Sequence, residues 1–258
     1  MLAESLKSGT LETGYTFTWE FSTYTDAISD FSEQFLRSFE YAGLATLFAL
    51  LIGYPLAYVI AFRGGKWRNA LLLVVIVPFF VTYLIRTLSW ESILSDSGFV
   101  VNALQTVGLV ADDGRVLDTT ASVVTGLTYN FLPFMILPLY ASLERIDHRL
   151  LEAGYDLYGR RRDVFLRVTL PLSMPGVVAG TLLTFIPAAG DFINAELLGT
   201  PNQFMIGNVI QSRYLELADY PTAAALSFIL MALMLAVVLA WARIAGTEAL
   251  LGTEGEAR

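Results

Sequence analysis

Four ionisable side chains interrupt the long apolar runs of this sequence: Arg86, Glu91, Asp191 and Glu196. A charged group at the centre of a membrane-embedded helix costs about 2.5–3.5 kcal/mol on the insertion scale. Each is therefore a candidate functional residue by position alone. Binding is open to them, and catalysis is not. A catalytic set needs a nucleophile with its base, or several metal ligands, and the chain has no Cys and a single histidine, His148. The absence of Cys also excludes disulfides and thiolate metal sites. No G-x-x-x-x-G-K-[ST] run occurs, so the chain carries no phosphate loop of the ATP-hydrolysing kind. Asp191 follows Pro187 and Gly190, which open the backbone locally, and Asn194 shares its face in a continuous helix. Glu196 is five residues further, about 140° around a regular helix. Both carboxylates can face one path only if the helix is broken between them.

The elements that must position these residues follow from composition. Of 258 residues, 55% are apolar and 16% charged, against roughly a quarter charged in soluble domains, and the mean hydropathy is +0.58. Five stretches are long and apolar enough to span a bilayer, for which about 20 residues are needed. They run from about Tyr41 to Phe62, Ala70 to Leu94, Thr119 to Leu143, Val177 to Leu198 and Thr222 to Ile244. Pro55, Pro78, Pro133, Pro138 and Pro187 fall within them and suggest kinked helices lining a cavity. Trp90 and Glu91 close the second stretch, where an interfacial anchor or a rim for an incoming solute are both open readings.

Basic residues set the orientation. Arg63, Lys66 and Arg68 follow the first span, Arg145, Arg149, Arg160, Arg161, Arg162 and Arg167 follow the third, and Arg243 ends the fifth. The alternate loops carry Arg115 and Arg213 among Asp96, Asp112, Asp113, Asp118, Glu216 and Asp219. The basic loops face the cytoplasm. Residues 1–40 then lie outside as a polar extracytoplasmic segment, 41–245 form the membrane domain with a cytoplasmic loop over 145–171, and 246–258 form a cytoplasmic tail. The net charge of −8 and pI near 4.7 fit an ordinary acidic protein or adaptation to high salt, and point to no nucleic-acid partner.

The loop between the third and fourth spans is amphipathic. Asp147 is a candidate N-cap and Gly159 a left-handed stop. Leu150, Ala153, Gly154, Leu157 and Tyr158 form a narrow apolar stripe opposite Arg149, Glu152 and Asp156. Such a helix can lie on lipid or enter a partner's groove, and small residues favour the groove.

The run Glu152-Ala153-Gly154, then Tyr158-Gly159 and Leu170-Pro171, resembles the EAA loop of binding-protein-dependent ABC importer permeases. Gly154 stands where that family has its second alanine, and Tyr158 where it has glycine, with Gly159 one place late. The segments LIGYPLAYVIA (Leu51 to Ala61), PFFVTYLIRTLSW (Pro78 to Trp90), YNFLPFMILPLYASLERID (Tyr129 to Asp147) and GDFINAELLGTPNQFMIGNVIQ (Gly190 to Gln211) are similar to the polyamine branch, in particular the first of its paired permeases. The likeness covers about residues 35–240.

The resemblance implies an all-α polytopic helix bundle of the ABC permease type, with six spans in the family against five here, so an upstream helix is expected. It also implies a heterodimer with a second permease, two copies of a cytoplasmic ATPase, an extracytoplasmic binding protein and lipid around the spans. ATP is then used by the ATPase, and no cofactor is bound by this chain. In that setting Glu152, Ala153, Gly154, Tyr158, Gly159, Leu170 and Pro171 contact the ATPase. A polyamine path needs carboxylates and aromatic faces, which makes Asp191, Asn194, Glu196, Trp90 and Glu91 its candidates, with Tyr129 and Asn130 as possible lining. Arg86 repels a polycation and is read as a packing or counter-ion residue. An ion-coupled transporter would show inverted repeats or midplane carboxylates, and no convincing internal repeat is found.

Overall fold

The computed structural model describes residues 2–9, 14–108, 111 and 114–245. Asp112, Asp113, Glu248, Glu254, Glu256 and the tail 246–258 lie outside the described residues. The described chain is almost wholly helical. Four helices are long and apolar enough to cross a membrane, Ser22–Arg63, Thr120–Glu144, Arg161–Ala189 and Tyr220–Arg243, and the broken pair Gly65–Phe80 and Tyr83–Thr106 makes a fifth if it is one span. The chain divides into two compact units, each with its own packing.

The first unit takes the described residues of Met1–Ala45, Thr82–Asn130 and Ile186–Val237. It opens with one helical turn, α1 (Leu2–Ser5), and a two-stranded ribbon pairing β1 (Lys7–Ser8) antiparallel to β2 (Thr16–Phe17), with Lys7 opposite Phe17. Helix α2 (Ser22–Arg63) begins well ahead of the apolar stretch, so the polar residues 22–40 continue the first span as helix. It kinks at Phe31, whose backbone leaves the helical region (φ −119°, ψ 17°), and the Arg213 guanidinium lies over that ring at 5.3 Å. Ala27 and Phe35 of α2 pack with Ile206 and Leu226. The unit also holds α4 (Tyr83–Leu94), α5 (Phe99–Thr106), the first half of α6 (Thr120–Glu144), α10 (Ile193–Leu198), α11 (Ile206–Gln211) and most of α12 (Tyr220–Ala245).

The second unit takes the described residues of Thr46–Val81, Phe131–Phe185 and Val238–Arg258. It contains α3 (Arg68–Ile76), α7 (His148–Tyr158), α8 (Arg161–Val164) and most of α9 (Leu170–Ala189). Ala49, Tyr54, Ala57 and Ile60 of α2 meet Met135, Ile136, Leu139 and Leu143 of α6, with Val177 of α9 beside them. Lipid tails are as apolar as leucine, so helices gain from closeness rather than from escaping water. Small residues at the crossing allow that closeness. Gly176 shows it best: a Cβ there would stand 2.5 Å from Ser142 Cβ and 2.7 Å from the Pro138 carbonyl oxygen. Polar links fasten the unit further. The Tyr54 and Ser173 hydroxyls are bonded at 2.7 Å, and Arg68 donates to Glu144 at 2.5 Å and to the Tyr140 hydroxyl at 3.0 Å. Outward side chains such as Leu51, Leu73, Val74 and Phe80 are exposed hydrophobics, a surface for lipid rather than water.

Two of the five expected spans are corrected. The stretch from Ala70 to Leu94 is not one helix. Helix α3 passes into a 3₁₀ turn at Val77–Phe80, with Pro78 in its first turn, and Val81 and Thr82 are extended (ψ 134° and 144°) before α4 begins. Pro78 lacks an amide hydrogen, and the residue after the turn takes the extended backbone that ends the ladder. The fourth span starts earlier and ends sooner than its hydropathy suggests. It is continuous from Arg161, through a π-helical turn at Phe165–Thr169, to Ala189. The Leu170 amide there reaches back to the Phe165 carbonyl. Pro171 cannot donate to a regular i−4 partner, and a widened turn just ahead of it relieves the clash of its ring.

Gly176→Ala is expected to destabilise the solubilised protein by about 1–3 kcal/mol, because its neighbours are backbone and a Cβ. Gly43→Ala, where a Cβ meets nothing within 4 Å, should be neutral or slightly stabilising by helix propensity. Thermal unfolding midpoints of the two variants check this.

Candidate functional site

Helix α9 stops at Ala189, and α10 does not start until Ile193. Asp191 therefore sits in a break rather than inside a span, and its relation to Asn194 is a turn rather than a shared helical face. The Asp191 carboxylate accepts the Asn194 backbone amide at 2.8 Å and the Asn194 side-chain amide at 3.1 Å. The Tyr83 hydroxyl donates to its other oxygen and accepts from Asn194. Asn130 donates to the Asn194 carbonyl oxygen at 3.1 Å and to the Thr87 hydroxyl at 3.1 Å. Asp191 is 9% exposed, and Asn130, Asn194 and Thr87 are buried. The Arg86 guanidinium lies over the Tyr83 ring, 5.6 Å from its centroid. A carboxylate in this setting is held by three donors, which is the condition for keeping it in a site shielded from water.

The same region shows why the break is tolerated. Freed backbone groups in an apolar setting must find partners, and side chains supply them here. Asn208 donates to the Phe192 carbonyl at 2.9 Å and accepts the Met205 amide at 3.0 Å. Ser122 donates to the Leu198 carbonyl at 2.6 Å, and Ser38 accepts the Ile206 amide at 2.8 Å. Arg37 donates to the Phe204 carbonyl at 2.9 Å. Gly207 brings α11 against the broken segment, since a Cβ there would lie 2.7 Å from the Asp191 and Gly190 carbonyl oxygens.

Of the residues singled out from the sequence, Asp191, Asn194 and Asn130 come together. Glu196 is exposed and takes no part in the network. Trp90 is half-buried with its ring 5.3 Å from that of Tyr129, and Glu91 is half-buried beside it in α4. Tyr83, Thr87, Asn208, Ser122 and Ser38 were not singled out. Their signal is an uncharged hydroxyl or amide within an apolar run, which is weaker than a charge and common in membrane helices.

In the second unit, the loop between the third and fourth expected spans forms the amphipathic helix α7. The Asp147 carboxylate accepts the Arg149 amide at 2.9 Å as N-cap, and Gly159 ends the helix in the left-handed region (φ 69°). The stripe is split by the structure. Gly154 is buried, and a Cβ there would meet Val164 and Val168 at 3.3 Å, so its smallness serves contact within this chain. Glu152, Ala153, Leu150 and Leu157 are exposed, and of Tyr158 only the backbone is described. Leu170 and Pro171 stand where the π turn passes into α9.

Residues 45–246 match the family model described as "Binding-protein-dependent transport system inner membrane component". The chain belongs to this family. It is thus an inner-membrane permease subunit of an ABC importer and not an enzyme, ATP hydrolysis in such importers residing in a separate subunit. The permease is 40% identical over 225 residues to the spermidine/putrescine transport system permease protein PotB of Haemophilus influenzae, covering 86% of this chain and 79% of that one. It is 41% identical over 208 residues to PotB of Escherichia coli, covering 80% and 76%. Among solved structures, the permease resembles a bacterial alginate ABC transporter in complex with a periplasmic protein bound to an alginate pentasaccharide (TM-score 0.61, 20% identity, 92% and 89% covered). It also resembles the MetNI methionine ABC transporter in an inward-facing conformation (TM-score 0.61, 16% identity, 83% and 94% covered). At such identities these structures speak for the fold alone.

Tyr83→Phe removes a donor to Asp191 and an acceptor for Asn194, and is expected to destabilise the permease by about 1–3 kcal/mol. Tyr129→Phe keeps the ring contact with Trp90 and should change little. Thermal unfolding of the two variants side by side distinguishes the network from general loss of a hydroxyl.

Proposed function

We propose that this permease carries polyamines of the spermidine and putrescine type into the cell. The observation that carries the reading is the 40% identity to spermidine/putrescine permeases over most of both chains. It pairs with a second, non-identical permease and with two copies of an ATPase, which binds the ATP. An extracytoplasmic binding protein delivers the amine. The membrane domain takes about 41–245, with the cytoplasmic loop 145–171 as its contact with the ATPase.

In this proposal ATP-driven closure of the ATPase pulls on α7 through Glu152, Ala153, Tyr158 and Gly159, while Gly154, buried on Val164 and Val168, ties α7 to the chain that follows. Leu170 and Pro171 pass the displacement into α9, and the permease pair alternates between outward and inward access. Asp191 supplies the anionic part of the path and Asn194 a neutral amide beside it, with Glu196, Trp90 and Glu91 toward its outer end. One observation favours a second role for Asp191. Its oxygens are already engaged by Tyr83 and Asn194, which suits a brace for the broken helix.

Uptake of labelled spermidine and putrescine into vesicles holding the whole importer tests both. Glu152→Ala, at an exposed position, should lower ATP-dependent uptake at least about tenfold while the chain still inserts. A direct cation contact predicts that Asp191→Asn raises the half-saturating amine concentration about tenfold or more, the size of a charged hydrogen bond. A brace predicts a lower unfolding midpoint with unchanged half-saturation. Absence of uptake of both amines by an importer that hydrolyses ATP would end the polyamine reading.

A further inference from the structure

The second unit contains a pocket of about 470 Å³ at the end of α2, lined by Tyr58, Phe62, Arg63, Tyr155, Arg161 and Phe165, with Gly159 and Thr169 completing it. The volume lies within the roughly 300–1,000 Å³ of small-molecule sites. Its walls are aromatic: Tyr58 and Phe165 pack edge to face at 6.3 Å, and Tyr58 and Phe62 lie 4.8 Å apart. Among the described residues its charged lining groups are the two guanidiniums, and no carboxylate lines it. With the described residues, neither Arg63 nor Arg161 forms an ion pair. Gly159, open on its Cβ side with nothing within 4 Å, leaves that part of the rim without a side chain.

A second observation says what reaches this pocket. Ile52, Leu56 and Val59 of α2 are exposed hydrophobics, and Arg63 follows them at spacings of four, three and four residues. Those spacings place all four on one helical face. An apolar stripe exposed along α2 thus ends on an arginine that lines the pocket. An acyl chain lying along the stripe brings its headgroup to Arg63, where basic residues at the cytoplasmic end of a span attract anionic lipid. Guanidinium forks match phosphate oxygens.

We propose that this pocket binds the phosphate headgroup of an anionic phospholipid from the cytoplasmic leaflet. The headgroup lies between Arg63 and Arg161, the aromatic rings enclose its glycerol, and the acyl chains run along Ile52, Leu56 and Val59. The lipid bridges the end of α2 to α7 and α8, and so stands beside the helix argued above to receive the ATPase stroke. The site itself is independent of which solute is carried.

Native mass spectrometry of the assembled importer, titrated with phosphatidylglycerol, phosphatidylcholine or inorganic phosphate, tests this. The wild type should retain phosphatidylglycerol in preference to phosphatidylcholine, with inorganic phosphate failing to displace it. Arg63→Gln with Arg161→Gln should weaken retention about 25-fold, from roughly fivefold for each surface cation lost. Lys66→Gln, an exposed cation outside the pocket, should leave it unchanged, and the double Arg→Lys variant should recover much of it. Each single Gln variant, at an exposed residue, gives a fivefold loss if the double variant does not assemble. Equal retention of phosphatidylcholine, equal binding by the Gln variants, or no lipid retained in the assembled importer would each overturn the proposal. Displacement by inorganic phosphate would assign the pocket to the free ion and overturn the lipid source.

Discussion

A backbone amide or carbonyl without a partner is costly in hydrocarbon, and this constraint governs the permease at each place where a helix stops short. Continuous helices meet it with their own ladder, which is why α12 can be an almost featureless apolar rod. The segment from Ala189 to Gln211 cannot meet it alone. It changes direction through two short helices and a 3₁₀ turn, and each change strands polar groups that side chains then collect. Asn208 serves a carbonyl and an amide on either side of the turn, while Ser122 and Ser38 reach in from α6 and α2. Asp191 belongs to this same economy of partners. A carboxylate accepts from several donors at once, so one residue can both close the break and hold Tyr83 and Asn194 in register.

Much of this was legible in the sequence because it rests on composition over long windows. The spans near Thr119–Leu143 and Thr222–Ile244 agree closely with α6 and α12. The cap at Asp147 and the stop at Gly159 are local side-chain chemistry and fall as expected. The failures have a common cause. Hydropathy is blind to backbone direction, so the stretch containing Pro78 reads as one span although the chain breaks at Val81–Thr82, whereas the break after Ala189 falls where Pro187 and Gly190 pointed to a local opening. The polar start of α2 was also hidden, since residues 22–40 carry too many hydroxyls and acids to register as part of an apolar run, although nothing in them stops a helix.

The candidate site was half legible for a related reason. Charges in apolar runs are conspicuous, and they led to Asp191 and Arg86. The neutral groups that make Asp191 tenable, Tyr83, Thr87 and Asn130, become meaningful only once the fold brings α4, α6 and α10 together. Glu196 carries the same charge as Asp191 but faces outward, a difference set by the break and invisible to spacing counted along one helix. In α7 the stripe of small residues looked uniform, whereas the structure turns Gly154 inward and leaves Ala153 and Glu152 outward.

The inward turn of Gly154 has a mechanical meaning. With hydrogen where a methyl would stand, the axis of α7 comes down onto Val164 and Val168 until van der Waals surfaces meet, and such surfaces hardly compress. In the proposed coupling, a pull on α7 therefore meets few intervening side-chain atoms at this contact. That contact seats α7 directly on the foot of the following span, so in the proposed coupling the two would move as one piece.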